Sequence, residues 1–580
     1  MFKGIPASSG IAIGKAFLFL EEEDLPIYPR SLNKEEIRNE LHRFRETVNK
    51  VKQEIIQTKG KVLQLLGKEH SRLIEAHLLI LDDPLLTRDV PKKIISHFLN
   101  AEWVVYEITE KVIKTLETLE DVYFRERKED ILTIRRKIIR YLLGKEKMLL
   151  SNLPPDTVVV AHNLTPGDTV GLKEEKVIGF ATDAGGRTSH TALLAQSFEI
   201  PCVVGLKNIT QQVKTGEAII VDGDKGIIIV NPDKQTIENY QELQKKILEE
   251  KQELQKLVSL PAVTLDGHQI NLAANIEIPE EIELVHKYGA EGIGLYRTEF
   301  LYLDRADLPG EEEQYKNYSQ VAKSILPHSV IIRTLDLGGD KIFPQVSNLK
   351  QMVLSPERNP FLGLRSIRFC LRCSEILKTQ LRAILRASAE GKLKILFPMI
   401  SRIDELRQAK DILEEVKISL REKNIPFDEK IKIGVLIEVP AAALIVDLIS
   451  KEIDFLSIGT NDLIQYTLAV DRGNENVANL YEPSHPSILR LIKQIVDAGH
   501  KAGKWVGTCG EMAAEPVFAL LLLGMGLDGL SVPPSLVPRI KKIIRGVSHQ
   551  EVKKLTEEVF ASADKEILEK ISNKINERYS

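Results

Sequence analysis

Cysteine is scarce in this chain of 580 residues: there are four, Cys202, Cys370, Cys373 and Cys509. They are too few for a disulfide framework. Cys370 and Cys373 form a C-x-x-C inside a helical pattern (366–389) with no second pair to complete a tetrahedral zinc site, so they read as ordinary helix residues. Long apolar runs are also missing. The most apolar one, 517–526, falls well short of the roughly 20 residues that cross a bilayer. Lys15 interrupts the Gly- and Pro-containing apolar start, which excludes a secretory signal. Nor is there an excess of charge of one sign. With 79 basic and 83 acidic side chains the net charge is −4, which gives no reason to expect nucleic acid or an acidic membrane surface. A basic partner stays open wherever acid clusters locally. The chain reads as soluble and cytoplasmic.

What is present is globular: 43% hydrophobic and 28% charged residues, enough to bury large cores. At about 150 residues per domain the length predicts several domains. Residues 1–30 read as a strand or two with Gly-rich turns, and Asn33 opens an N-x-x-E cap with Glu36. From there to about 145 apolar residues recur at three- and four-residue steps, as in packed helical hairpins. Strand signals follow at 157–161, 176–181, 201–205, 218–221 and 226–230. A charged stretch, 233–258, carries Ile237, Tyr240, Ile247, Leu254 and Leu257 near heptad spacing, the narrow stripe of a connecting helix. Apolar strands then fall at 270–276, 292–296, 330–335, 394–400, 432–438, 454–458, 505–509 and 527–531, with helical stretches such as 279–289 and 403–422 between them. Eight strands alternating with helices predict a (β/α)₈ TIM barrel rather than an open sheet. The expected organisation is an α/β domain from 1–30 and 146–232, a helical-hairpin block (31–145) inserted in it, a linker helix (233–260) and a C-terminal barrel (261–580).

Two places could carry chemistry. After the strand at 176–181, Gly185 and Gly186 make a turn, and a short apolar helix starts at or just before His190. Unpaired backbone N–H groups at a helix start favour an anion, and Thr188 and Ser189 add hydroxyl donors. An imidazole near its free pKa of about 6.5 is largely a neutral nucleophile at pH 7. Local physics leaves two readings open: a phosphoryl-bearing histidine, or a Gly-rich cap with an incidental exposed His. The second place is the set of barrel strand ends, where Arg297, Glu299, Arg333, Asp336, Met399, Glu438, Asn461, Asp462, Cys509 and Glu511 gather. Any one of them could be a salt bridge or a cap. Together they sit where such barrels keep their active sites.

The wording of these stretches narrows the choice. Gly185-Gly186-Arg187-Thr188-Ser189-His190-Thr191 resembles the phosphohistidine signature of the phosphoenolpyruvate-utilising enzymes. Later phrases agree with that family's Enzyme I branch in order: Gly294 to Leu301, Asp336 to Lys341, Asn359 to Arg365, Gly459 to Arg472, and Gly507 to Met512. The likeness spans residues 1 to about 575. It implies that His190 takes a phosphoryl group from phosphoenolpyruvate and hands it to a histidine of the phosphocarrier HPr, releasing pyruvate in the first step of the phosphotransferase system. Arg297, Arg333 and Arg472 match the family's phosphate-binding arginines, with Arg365, Lys341 and Asn461 as further substrate-binding candidates. Glu438 and Asp462 would be oxygen ligands to Mg²⁺. Those types suit a small substrate with a phosphate and a carboxylate. Cys509 matches the proton donor to the departing enolate, a role open to a thiol of pKa near 8.5.

The resemblance also implies that the helical block docks HPr around 75–83, with His77 an interface or packing residue, and that the barrel domain forms a homodimer. One departure is Gln196, where the family often has an Arg that helps hold the phosphate. The related dikinases and synthases need a large ATP-binding region for which this chain has neither the length nor the glycine-rich segment. A non-catalytic phosphoenolpyruvate sensor is disfavoured by the intact His190, Cys509, Glu438 and Asp462. Whether the pathway serves sugar uptake or regulation stays open.

Overall fold

The computed structural model describes residues 1–19, 27–117, 122–144, 153–164, 176–186, 189–197, 200–303, 305, 307–338, 359–474 and 476–562. They fall into two compact units, Met1–Glu249 and Glu250–Ser580.

In the first unit, eight strands among the described residues form one sheet. They are β1 (Phe2–Lys3), β2 (Ile5–Ser8), β3 (Ile11–Phe19), β4 (Thr157–Ala161), β5 (Val177–Thr182), β6 (Cys202–Val204), β7 (Ala218–Asp222) and β8 (Ile227–Val230), in the order β1-β8-β7-β3-β4-β5-β6-β2. The first residues thus supply three strands, one more than their sequence suggested, because Gly4 and Gly10 break the run into short pieces that pair at opposite edges of the sheet. β3 runs parallel to β4 and antiparallel to β7. Side chains alternate across the sheet: Val159 and Ala161 join a core with Ala192 and Ala195 of the helix His190–Ser197, while Val158 and Val160 join another with Ile209 and Val213. The sheet is therefore buried on both faces, as its nearly all-apolar strands require.

Between β3 and β4 the chain makes the helices Glu36–Asp82, Val90–His97, Ala101–Glu117 and Val122–Leu142. The first begins at the capping box read from the sequence. Asn33 Oδ1 accepts from the amides of Glu35 and Glu36 at 3.1 and 2.9 Å, and Glu36 Oε2 accepts from Asn33 N at 2.8 Å. Phe44, Val51 and Ile55 make one stripe that packs with Leu81, Val104, Ile134 and Ile138. Each such side chain contributes about 1.5–3 kcal/mol.

The second unit is a closed barrel of parallel strands: β9 (Asn271–Ile276), β10 (Ile293–Tyr296), β11 (Ser329–Arg333), β12 (Lys392–Phe397), β13 (Lys432–Ile437), β14 (Phe455–Ile458), β15 (Trp505–Thr508) and β16 (Gly529–Val532), which pairs back to β9. These are the eight expected strands, with shifted ends. β12 stops at Phe397 because Pro398 has no N–H to donate, and Met399 then turns to φ +55°. Alternate residues face in and out: Val330 and Ile332 pack under the outer helices, and Ile331 joins Leu295, Leu396, Leu436, Phe455 and Cys509 inside. The helix expected through 366–389 is two, Ser366–Arg372 and Ser374–Ser388, with Cys373 at the joint. Both thiols of that C-x-x-C are buried in the outer core. Among the described residues no helix is long and apolar enough to cross a membrane.

Candidate active site

Arg333 ends β11 and sits at the barrel mouth between two acids, Glu299 and Asp336, each 3.0 Å away. Asp336 also takes Arg365 at 3.0 Å, so one carboxylate spans two guanidinium groups. Arg365 lies 3.8 Å from Asp462, donates to Tyr466 Oη at 3.3 Å, and stacks over the Phe361 ring. Glu438 follows β13, and its Oε1 accepts the Met399 amide at 2.6 Å. Its other oxygen lies where a side chain on residue 459 would be: a Cβ there would come within 2.8 Å, so Gly459 leaves the room this carboxylate occupies. Asp462 belongs to the first turn of the helix Thr460–Leu468. Arg333 and Arg365 are 12% exposed and Asp336 4%, so this is the inner part of the mouth. Buried Arg333 Nε and Thr460 Oγ1 have no protein partner among the described residues.

The electrostatics split these acids into two kinds. Burial alone would raise the Asp336 carboxyl, but Arg333 and Arg365 more than offset it and hold it below the ordinary carboxylate range. Glu438 goes the other way. Burial, reinforced by Asp336 and Asp462, pushes it well above that range. Burial raises Asp462 as well, with Arg365 pulling against it. Two carboxyls that resist ionising side by side, with room kept by a glycine, are chemically suited to a hard divalent cation that would let both ionise. Among the described residues no group of three or more His, Cys, Asp or Glu side chains is gathered for a metal, so a cation here would rest on this pair and on substrate or water oxygens.

Cys509 follows β15 and points into the barrel, 4% exposed, where its sulfur accepts the Ser457 hydroxyl at 3.5 Å. Burial raises its thiol above the ordinary value, while the Ser457 hydrogen bond and Arg333 pull the other way. The net upward shift keeps it protonated at neutral pH.

The structure thus gathers Arg333, Arg365, Glu438, Asp462 and Cys509 in the inner mouth. Asn461 and Arg472 lie at the rim, both tied to Glu511: Asn461 Nδ2 donates to it at 2.9 Å, and Arg472, 42% exposed, pairs with it at 3.1 Å. Arg297 pairs with Glu277 at the end of β9. Lys341 lies outside the described residues, as do Arg187 and Thr188. Glu299 and Asp336, visible in the sequence only as polar residues at strand ends, are the counter-charges that aim Arg333 and Arg365. Ser457 carries no motif, and Tyr466 is one residue among many in the Gly459 to Arg472 phrase. Period-two counting from Phe455 would have turned Ser457 inward beside Cys509.

In the first unit the helix His190–Ser197 begins at His190, as its sequence suggested. Gly185 makes the preceding turn at φ +113°, and a Cβ there would press on Ser189 Oγ at 2.9 Å. Ser189 Oγ and Thr191 Oγ1, on either side of His190 in the chain, are buried without a hydrogen-bond partner among the described residues. The Gln196 amide donates to Ala7 O at 2.7 Å, so it braces the helix against β2. Of the stretch 75–83, Leu79 is 67% exposed and Leu78 and Ile80 are half-buried. Leu81 is fully buried in the helical core, which removes it from the surface the sequence suggested. His77 is half-buried and pairs with Asp130 at 3.1 Å.

A parallel barrel whose mouth holds two fixed guanidinium groups beside a pair of reluctant carboxyls is chemically suited to a small polyanion, and similarities to known proteins identify the family. Residues 251–549 match the family model of the PEP-utilising enzyme, PEP-binding domain; 3–127 match its N-terminal part and 153–226 its mobile domain. The chain belongs to the PEP-utilising enzymes. It is 45% identical to the phosphoenolpyruvate-protein phosphotransferase of Haemophilus influenzae and 43% identical to that of Staphylococcus carnosus, covering 96% and 97% of each chain in the pair. Within the family it is therefore an enzyme of the phosphoenolpyruvate-protein phosphotransferase type. An NMR solution structure of Enzyme I (nEIt) is 43% identical, covers 43% of this chain and 99% of its own, and superposes with a TM-score of 0.37.

Proposed function

We propose that the enzyme moves the phosphoryl group of phosphoenolpyruvate onto His190 and then onto a histidine of HPr, releasing pyruvate. The observation that carries this reading is the Arg333–Asp336–Arg365 unit beside Glu438 and Asp462 in one barrel mouth. The two arginines bind the substrate's phosphate and carboxylate, with Arg297, Asn461 and Arg472 as further ligands at the mouth and Lys341 as a further substrate-binding candidate from its sequence. Because Glu299 and Asp336 already fix them, they meet the charge that develops in transfer without reorganising. Glu438 and Asp462 would hold Mg²⁺, which when bound supplies Lewis-acid charge to the substrate oxygens.

A ring nitrogen of His190 attacks phosphorus, the bond from phosphorus to the enol oxygen breaks, and that oxygen keeps the electron pair. The methylene carbon of the enolate then takes the Cys509 thiol proton to become pyruvate. The hydroxyls of Ser189 and Thr191, without a partner among the described residues, and the helix start at His190 support a bound phosphoryl group there. Exposed Leu79 beside Asp82 and Asp83 supports a basic-rimmed apolar partner, which fits HPr. In this reading the enzyme is a cytoplasmic homodimer joined through its barrel domain.

The test is direct. Incubated with Mg²⁺ and phosphoenolpyruvate labelled in its phosphate, the full chain should take up acid-labile label and H190A none. Label on H190A would overturn the acceptor assignment.

A further inference from the structure

A cavity of about 250 Å³ lies inside the barrel among the packed interior side chains, lined by residues from the N-terminal starts of the strands up to Ser457. Asn271, Glu291 and Ser329, at or before the starts of their strands, form its lower part, and Ser457 and Thr508 reach its upper part. Lys394 stands in its wall with the ammonium over the Phe455 and Trp505 rings, 5.6 and 5.7 Å from their centroids, and among the described residues no carboxylate pairs with it. The rings sit where side chains on Gly434, Gly507 and Gly529 would be, each Cβ falling within 2.4 Å of a ring carbon. The space is polar and roomy enough for several waters.

Ser457 belongs to this cavity and also donates its hydroxyl to Cys509 Sγ at 3.5 Å. That links the inside of the barrel to the thiol at its mouth. The consequence rests on the donor role proposed for Cys509. Each pyruvate leaves behind a thiolate, buried and facing product, which needs a proton before the next cycle.

We propose that Ser457 and the cavity beneath it return that proton from the opposite end of the barrel. The Ser457 O–H bond breaks as a Cys509 S–H bond forms, and the serine oxygen takes a proton in turn from cavity water. Lys394 is the fixed donor to that water and is recharged from solvent at the N-terminal end. One solvent proton is consumed per pyruvate, and nothing is oxidised or reduced. Ser457 touches neither substrate nor phosphorus, so it is a relay and positioning residue. Burial, helped by Lys432, lowers the Lys394 pKa, the direction that eases release of its proton.

Rapid-quench measurement of pyruvate made by the full chain with phosphoenolpyruvate, Mg²⁺ and excess HPr separates first turnover from steady state. S457A should make its first pyruvate at the wild-type rate, since Cys509 starts protonated, and then run roughly ten-fold or more slower. S457T, which keeps a hydroxyl, should recover most of that loss. Equal steady-state rates in S457A and wild type would overturn the relay. So would an S457A already slow in its first turnover, or an S457T as slow as S457A, because either assigns Ser457 to packing. C509A run alongside tests the reading underneath: wild-type, stereospecific ketonisation in that variant removes both donor and relay. An impaired C509A with a normal S457A removes the relay alone.

Discussion

Glu438 is placed where a carboxylate is least at ease, buried and next to two other acids. Its pKa is raised in the fold, so the folded state holds a proton there that the unfolded chain has lost above pH of about 4.3. Wild-type stability from this residue is therefore full at low pH and falls as pH rises toward the folded value. Glu438→Gln keeps an oxygen for the Met399 amide and removes the charge. In chelator it should be more stable than wild type by about 1–3 kcal/mol at pH 8, with the gap closing by pH 5. Urea unfolding at the two pH values checks this, and a gap independent of pH would sink the burial account. The same variant should lose Mg²⁺-dependent labelling of His190, so a residue that costs stability is one the proposed chemistry needs.

Among elements, the helix His549–Ser562 shows a cap supplied from far away. Asp266 accepts from the amides of His549 and Gln550 at 2.8 and 3.1 Å and from the Ser548 hydroxyl at 2.9 Å. A carboxylate at a helix start satisfies orphan donors and complements the dipole. Asp266→Ala should speed hydrogen exchange at His549 and Gln550 while amides in β9–β16 keep their protection, read residue by residue by NMR or mass spectrometry. Unchanged exchange at those two amides would show that packing of Val552 and Val559, both in the barrel's outer core, holds the helix start instead. Buried Lys541 does similar work at carbonyls, donating to Val258 O and Gly289 O at 2.9 and 2.8 Å.

At the scale of the molecule, the proposed chemistry is divided between two units. His190 belongs to Met1–Glu249, whereas Arg333, Arg365, Glu438, Asp462 and Cys509 belong to Glu250–Ser580. Each unit has its own sheet and core. Expressed separately, 1–249 should take phosphate from phosphorylated HPr but not from phosphoenolpyruvate, and should sediment as a monomer. The piece 250–580 should bind phosphoenolpyruvate and Mg²⁺ and sediment as the dimer. Labelling of the isolated 1–249 by phosphoenolpyruvate would mean that the barrel is not the loading site. A monomeric 250–580 would remove the dimer proposal.

Much of this was legible in the chain itself. The eight apolar segments after residue 261 announced the barrel, and the Asn33–Glu36 box announced the first helix, because strand period, helix period and capping are written in neighbouring residues. The ordered phrases around His190, Gly459 and Cys509 announced the family. Partners were not legible. Asp336 between two arginines, Asp266 capping a helix more than 280 residues away, Gln196 turned to Ala7 and Leu81 withdrawn into a core all depend on which distant strands and helices each unit's fold brings together. Ser457 shows the division most plainly: alternation along β14 determines that it faces inward, but only closure of the barrel sets a cysteine above it and a cavity with a lysine below.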